Sequence, residues 1–575
     1  MDPKFSVHLN NVPCFDISHS SHIVNINQLS VNSIYKPLDF SNISYYYPTI
    51  DLFLNDSSNS EQNLSLDTNR QIINHNSVIE NNVCQSNINI FFKFAPLLDT
   101  TRYMIGKYND FHSIIQNLPK NKNDKNILDK YKSHYNASYT DNFASFLISK
   151  LLTHHNFIHG IEYFGSFLAI QKKYIIDIGD ELEYLYESNF FRENLNKLFH
   201  IEDKTKQETF DYLNYGSRSN KPKINISDDD ELIDIETIDD EVIITNSNDI
   251  EEEEVIYQKP EKYHKDKERE PWDEEEDSDD DDDSSEIEDD DDEEDDDEDD
   301  DDDEDDDDDE DDDDDEDDEE DDDEETPVYA YIDNFPVQVI CQEKCDGTFD
   351  KLLENDMIDE NSARSILFQV IMILITLQKS FQLTHNDLHT NNIMYCNTDI
   401  EYLYYKNDNI YYKVPTYGKI IKIIDYGRSI YKYNGQLFCS DSYSPGGDAH
   451  TQYNTEPFFD NKKARLDPNY SFDLCRLGCS IYDFIIPDDA FQDKLDGFQK
   501  IINDWCTDDQ GRNILYKKNG DERYPNFRLY KMIARTVHNH TPKEQLQRDF
   551  FKSYVMETSC NDEKIINIDN IPVYV

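Results

Sequence analysis

Two apolar periods, one of strands and one of helices, divide this chain. From Asn87 the run INIFFKFAPLL is rich in β-formers and sets a single lysine, Lys93, in a buried-looking position, which predicts a strand. Tyr139 to Leu152 has the apolar spacing of a helix. IEYFGSFLAIQKKYIIDI then reads as two strands joined near Ile170 to Lys173. The pattern fades after about residue 200 and returns at VYAYIDNFPVQVICQEKC. The longest apolar stretch, ILFQVIMILITL (Ile366 to Leu377), predicts one buried helix, since it is too short to span a bilayer. Two polar loops flanked by apolar runs follow, LTHNDLHTNNIM and IKIIDYGRS, and then a mostly helical C-terminal part. Residues 1–85 differ: they are rich in Asn, Ser and Ile with little helical period, DSSNSEQN reads as a loop, and short strands fit YYYPTIDLFL.

Charge changes this picture at one place. The formal net charge is -73 over 575 residues. Between Asp273 and Glu325, every residue is Asp or Glu except Ser278, Ser284, Ser285 and Ile287. Such a run has no apolar area to bury and repels itself, so it predicts an unfolded insertion. Its sign argues against direct nucleic-acid binding and suits a basic protein partner. The remainder is an acidic but ordinary chain. Ten scattered cysteines do not make a disulfide framework, and Cys341, Cys345, Cys475 and Cys479 read as core thiols rather than zinc ligands. With no apolar segment of signal length at MDPKFSVHLNN, a soluble intracellular protein without a membrane partner is expected.

The two polar loops carry candidate chemistry. Phosphoryl transfer needs a base near the acceptor hydroxyl, oxygen ligands for Mg²⁺ and a cation on the nucleotide phosphates. Asp387 supplies a base, Asn392 an amide oxygen five residues on, and Asp425 a carboxylate at a strand end before Tyr426 and Gly427. Any one of these is a solvated loop residue in most sequences; the three together at this spacing are not.

HNDLHTNN resembles the H-x-D-L-x-x-x-N catalytic loop of protein kinases, and DYG resembles their DFG. The wording FFKFAPLLD, TRYMIGKY, THNDLHTNNIM, IIDYGRS and TQYNTEPFF is closer still to divergent serine/threonine kinases of giant, mimivirus-like DNA viruses. The resemblance implies an α+β, two-lobed kinase-like fold whose small lobe carries the long disordered acidic insertion. It divides the chain into residues 1–85 as an N-terminal region, 86–200 as the first part of the small lobe, 201–327 as the insertion, 328–342 as the last small-lobe strand and 343–575 as hinge and helical large lobe. It implies ATP and Mg²⁺, with Asp387 as catalytic aspartate, His385 as brace, and Asn392 and Asp425 on the metal. Lys93 would contact the α- and β-phosphates, Glu343, Lys344 and Cys345 would offer backbone groups to adenine, and Asp473 would support the loop from below. Glu456 and Pro457 would end the activation segment. A viral origin would put the protein in host cytoplasm, viral factory or virion.

Four departures keep other readings open. The first glycine is Gly106, so no glycine-rich loop precedes Lys93 to lie close to the phosphates. Asn386 stands where many kinases have the arginine that meets an activation-segment phosphate, and His389 replaces a lysine that would touch the transferred phosphate, its charge depending on pH. The helix after Lys93 has no glutamate to pair with it, and Asp141 is the one carboxylate candidate there. A catalytically inactive kinase-fold binding module, or a small-molecule phosphotransferase of the H-x-D-L-H type, therefore stands beside a protein kinase acting on Ser/Thr.

Overall fold

In the computed structural model, β-branched and aromatic residues of the first part assemble a five-stranded antiparallel sheet. Its strands are β1 (Phe40–Ser44), β2 (Ile90–Pro96), β3 (Tyr163–Asp177), β4 (Phe199–Ile201) and β5 (Tyr329–Glu343), in the order β1-β3-β5-β2 with β4 also on β5. The structure describes residues 4–17, 36–54, 63–179, 181–201, 328–487, 495, 497–518, 520–525, 527–557 and 565–575, all in one unit. The loop expected at Asp56 to Asn63 and the acidic insertion, except for Ile201 at its start, lie outside the described residues apart from Asn63. The architecture is α+β, with sheet and helices gathered in different parts of the chain.

Lys93 lies on β2, opposite Ile340 of β5. Two local expectations are corrected. Residues 163–177 are one strand, not two, because β5 is long enough to pair with it from Asp177 to Tyr163. The polar residues that suggested a turn are used in place: Lys172 pairs with Asp39 at 2.6 Å and Gln171 donates to the Pro37 carbonyl at 2.8 Å. Likewise Pro48–Phe53 in YYYPTIDLFL is a 3-10 turn rather than a strand. Proline at its first position has a fixed φ and no N–H to satisfy, which starts a helical turn at no hydrogen-bond cost. The N-terminal region thus adds β1 and packs Phe15, Phe40 and Tyr45 on Phe167 of β3.

Helix α1 (Ala137–His155) crosses from sheet to helices and is buried without interruption from Ser138 to Leu151. Asn136 caps its first turn and Asn156 ends it in a left-handed conformation. Helix α2 (Glu360–Phe381) contains the expected apolar stretch and starts with a capping box between Asp359 and Ser362. By length and composition it is the one helix among the described residues apolar enough to cross a membrane, but 83% of that window is buried inside the protein. Its side chains are spent on the core, where each fully buried Leu, Ile or Phe contributes about 1.5–3 kcal/mol.

Past α2 come the short strand β6 (Ile393–Asn397), a hairpin of β7 (Tyr402–Asn407) and β8 (Ile410–Pro415), and β9 (Lys419–Ile423), which pairs with β6. Buried Gln369 of α2 positions β9: its Oε1 accepts from Ile421 N–H at 3.0 Å and its Nε2 donates to the Lys419 carbonyl at 3.3 Å. Helices α3 (Phe472–Ile485) and α4 (Arg528–Thr536) close the far side.

Candidate active site

One polar loop runs into β6 and the other leaves β9, paired strands of one small sheet, and a buried acid holds the first. Asp473, near the start of α3, is wholly buried and accepts the N–H groups of His385 at 2.9 Å and Asn386 at 2.8 Å. Fixing two successive amides on one carboxylate turns the chain, and Asn386 takes φ +63 to make that turn. Asparagine is one of the few side chains that tolerates this region. His385 Nε2 bonds to the Ile424 carbonyl at 2.9 Å, and Ile424 N–H donates to the Asn392 carbonyl at 3.0 Å. The loop of Asp387 and the strand end of Asp425 are thereby stitched together.

Asn392 donates from Nδ2 to the Asp387 carbonyl at 2.9 Å and bonds to His389 Nε2 at 3.0 Å. Both contacts use the amide nitrogen. Its oxygen is then the acceptor the side chain can offer a cation. His389 does not act as a stand-in cation: burial lowers its pKa to about 4, so the ring is neutral near pH 7.

Asp387 itself is held ionised. Burial pushes its carboxyl up, but the charges of Arg428 and Arg476 and a hydrogen bond from Tyr530 more than reverse this, leaving it well below the usual carboxylate range. His389 adds to the effect only when protonated. Tyr530 of α4 donates to Asp387 Oδ1 at 2.6 Å, and Arg476 Nε of α3 donates to the same tyrosine oxygen at 2.9 Å.

Across the cleft, Lys93 Nζ sits between two carboxylates, Asp141 of α1 at 2.6 Å and Asp425 at 2.8 Å. Asp141 thus serves as the partner in place of a glutamate, and it reaches because α1 passes directly beneath the sheet. Its other oxygen accepts Tyr426 N–H at 2.8 Å, so one carboxylate fixes both the lysine and the loop after Asp425. Burial lowers the Lys93 pKa, but the two carboxylates dominate and raise it. Asp425 stands at φ +65, and its side chain is 45% exposed. Aspartate, like asparagine, is one of the few side chains that tolerates this region.

Glu343 ends β5, and Lys344 and Cys345 follow it. Two of their backbone donors are already engaged: Glu343 N–H on the Glu162 carbonyl at 2.9 Å and Lys344 N–H on the Asn89 carbonyl at 3.3 Å. The Glu343 side chain pairs with buried Lys422 of β9. Its carboxylate and the thiols of Cys345 and Cys396 lie within 4.8 Å of one another. Cys341, Cys475 and Cys479 are buried core thiols, as is Cys345.

The segment from Arg428 to Glu456 is pinned by its own side chains. Arg428 pairs with Asp448 at 2.7 Å. Tyr443 donates to the Arg428 carbonyl at 2.8 Å, and Tyr453 donates to Asn386 Oδ1 at 2.9 Å. Asn386 therefore receives an aromatic hydroxyl from this segment. Glu456 is in an exposed pair with Arg465.

The structure thus gathers Lys93, Asp387, His389, Asn392 and Asp425 in one cluster, whereas Glu343 is engaged with Lys422 and the Glu162 carbonyl. Sequence reasoning missed Arg476, Asp448 and Tyr530. Arg476 had a signal, lying one helical turn after Asp473 on the same helix. Tyr530 had none, being 143 residues from its partner. No family model matches the chain. Over 202 residues it is 32% identical to Uncharacterized protein 098R of Invertebrate iridescent virus 6, a match covering 34% of this chain and 30% of that protein. The chain therefore spans less than a third of that relative's length.

Proposed function

We propose that the chain is a two-lobed, protein kinase-like phosphotransferase that transfers the γ-phosphoryl group of ATP, with Mg²⁺, to Ser/Thr hydroxyls of a protein. The observation that carries this reading is the pairing of Lys93 with Asp141 and Asp425 opposite Asp387 and Asn392, on loops braced by Asp473 and His385. A structural ion pair alone would not require an ionised, half-buried Asp387 beside it.

The donor set fits Mg²⁺: Asp425 offers a partly exposed carboxylate, and Asn392 has its amide nitrogen engaged and its oxygen left to bind. When bound, the ion neutralises charge on the phosphates. Lys93 supplies the protein's own cation on the nucleotide side, since His389 is neutral. Asp387, ionised at neutral pH, orients the acceptor hydroxyl and accepts its proton as transfer proceeds. The acidic run favours a basic protein as acceptor, with neither nucleic acid nor membrane as partner.

A second reading is a kinase-fold binding module without catalysis. It is favoured by β2, which pairs with β5 along one edge only; among the described residues no strand covers its other edge. The residues just ahead of it form a separate meander of Gln71–Asn74, Ser77–Glu80 and Val83–Ser86. ATP and Mg²⁺-dependent labelling of a generic Ser/Thr substrate, run beside Asp387→Asn, separates the two. Labelling lost in the variant supports transfer; equal labelling refutes the site, and nucleotide binding without labelling favours the module.

A further inference from the structure

We propose that Tyr530 is an acceptor gate: its hydroxyl occupies the hydrogen-bonding position on Asp387 that an incoming acceptor hydroxyl must take. The inference rests on the phosphotransferase reading and goes further, because it says what closes the acceptor side of that site.

A catalytic base must lie about 2.6–3.2 Å from the hydroxyl whose proton it accepts. Tyr530 Oη lies 2.6 Å from Asp387 Oδ1. A phenol has one proton to donate. Arg476 Nε donates into the same oxygen at 2.9 Å, so that proton points at Asp387. The tyrosine therefore makes, within the chain, the contact that an acceptor serine or threonine would make. It is 2% exposed, and its ring stacks on Phe527 at 5.3 Å and lies 6.1 Å from Phe472. The guanidinium of Arg428 lies 5.5 Å from the ring. Helix α4 is anchored independently of the hydroxyl by buried Leu529, Ile533 and Ala534, and by Arg535 donating to the Thr451 carbonyl at 3.0 Å. Packing thus holds the ring, while the hydroxyl meets only the site. An acceptor enters by displacing one hydrogen bond to a charged group.

The test is Tyr530→Phe, which keeps the ring, with thermal unfolding as the control for folding. Three measurements are made on the full chain: Mg-ATP binding by calorimetry, ATP hydrolysis with water as acceptor, and the KM for a Ser/Thr peptide. Freed of the competing hydroxyl, the variant hydrolyses ATP about 10- to 100-fold faster, from the usual strength of a hydrogen bond to a charged group. Its peptide KM falls and its ATP affinity is unchanged. Hydrolysis that is unchanged or slower, at unchanged ATP affinity, overturns the gate and makes Tyr530 a support for Asp387. Phosphate found on Tyr530 by mass spectrometry after incubation with Mg-ATP also overturns it, because the hydroxyl would then be a substrate. If neither protein binds Mg-ATP, the phosphotransferase reading fails and the gate falls with it.

Discussion

Asp141→Asn tests the link between the sheet and the loops, and its size follows from the contacts. The carboxylate meets Lys93 at 2.6 Å through Oδ2 and Tyr426 N–H at 2.8 Å through Oδ1. Asparagine keeps the shape and can keep the Tyr426 bond with its oxygen. Its amide nitrogen then faces the Lys93 ammonium, a donor against a donor. The loss is one charge-assisted hydrogen bond, worth about 1.5–3 kcal/mol. The gain is relief from burying a charge, since burial already raises the Asp141 pKa. Lys93 also retains Asp425 at 2.8 Å. These opposing effects leave global stability within about 2 kcal/mol of the parent, whereas an uncompensated buried charge would cost about 3–5 kcal/mol. Catalysis has no such offset, because Lys93 is drawn wholly toward Asp425 and away from the phosphates. If the full hydrogen-bond energy is lost from the transition state, turnover falls about 10- to 100-fold. The assay pairs urea unfolding with steady-state phosphoryl transfer. Turnover within threefold of the parent in a folded variant would refute the reasoning, and so would collapse of the fold, which would make Asp141 structural.

Asp425→Ala should abolish transfer while leaving the fold intact, and Asn392→Ala should impair it severely; rates against Mg²⁺ concentration check this, and near-parental turnover for Asp425→Ala would reject the site. Asp448→Ala should disorder the Arg428 to Glu456 segment, whereas phosphatase treatment should leave the parent's turnover unchanged, because an aspartate already fills the role of a phosphate at Arg428; loss of turnover tracking one phosphate there would contradict this. His159 is 1% exposed between the Ile421 carbonyl and the Tyr405 hydroxyl, and burial lowers its pKa from 6.5 to about 4. Its neutral form is favoured in the fold, so stability is complete above pH 6.5 and is lost as pH falls toward 4, by about 3 kcal/mol; unfolding at pH 7.5 and 4.5 should show a smaller drop for His159→Gln, and equal drops would refute it. Deleting Asp273 to Glu325 should leave activity on a neutral peptide unchanged and raise the KM for a basic protein at low salt, since such a field is screened beyond about 8 Å at physiological salt; equal constants at every salt concentration would make the run a passive insert. The strands that flank the whole insertion, β4 and β5, pair directly, so the chain leaves and re-enters the fold at neighbouring points.

The sequence by itself determined the elements whose pattern is local. The strand of Lys93, helices α1 and α2, and the two polar loops were legible because burial repeats with the period of the backbone, and because each loop gathers its polar residues within one short span. It also supplied Asp141 and Asp473 as candidate supports, since each sits on a helix next to a motif. Only the tertiary structure decided the rest. The polar run at Gln171 and Lys172 looks like a turn until Pro37 and Asp39 receive it, more than 130 residues earlier in the chain. Pro48 reads as part of a strand until the fold makes it the start of a helical turn. Arg428 finds Asp448, and Asp387 finds Arg476 and Tyr530, through contacts for which periodicity carries no information. Periodicity records which face of an element is buried; the partner of a charged group is set by how distant elements cross, and that is a property of the packed core.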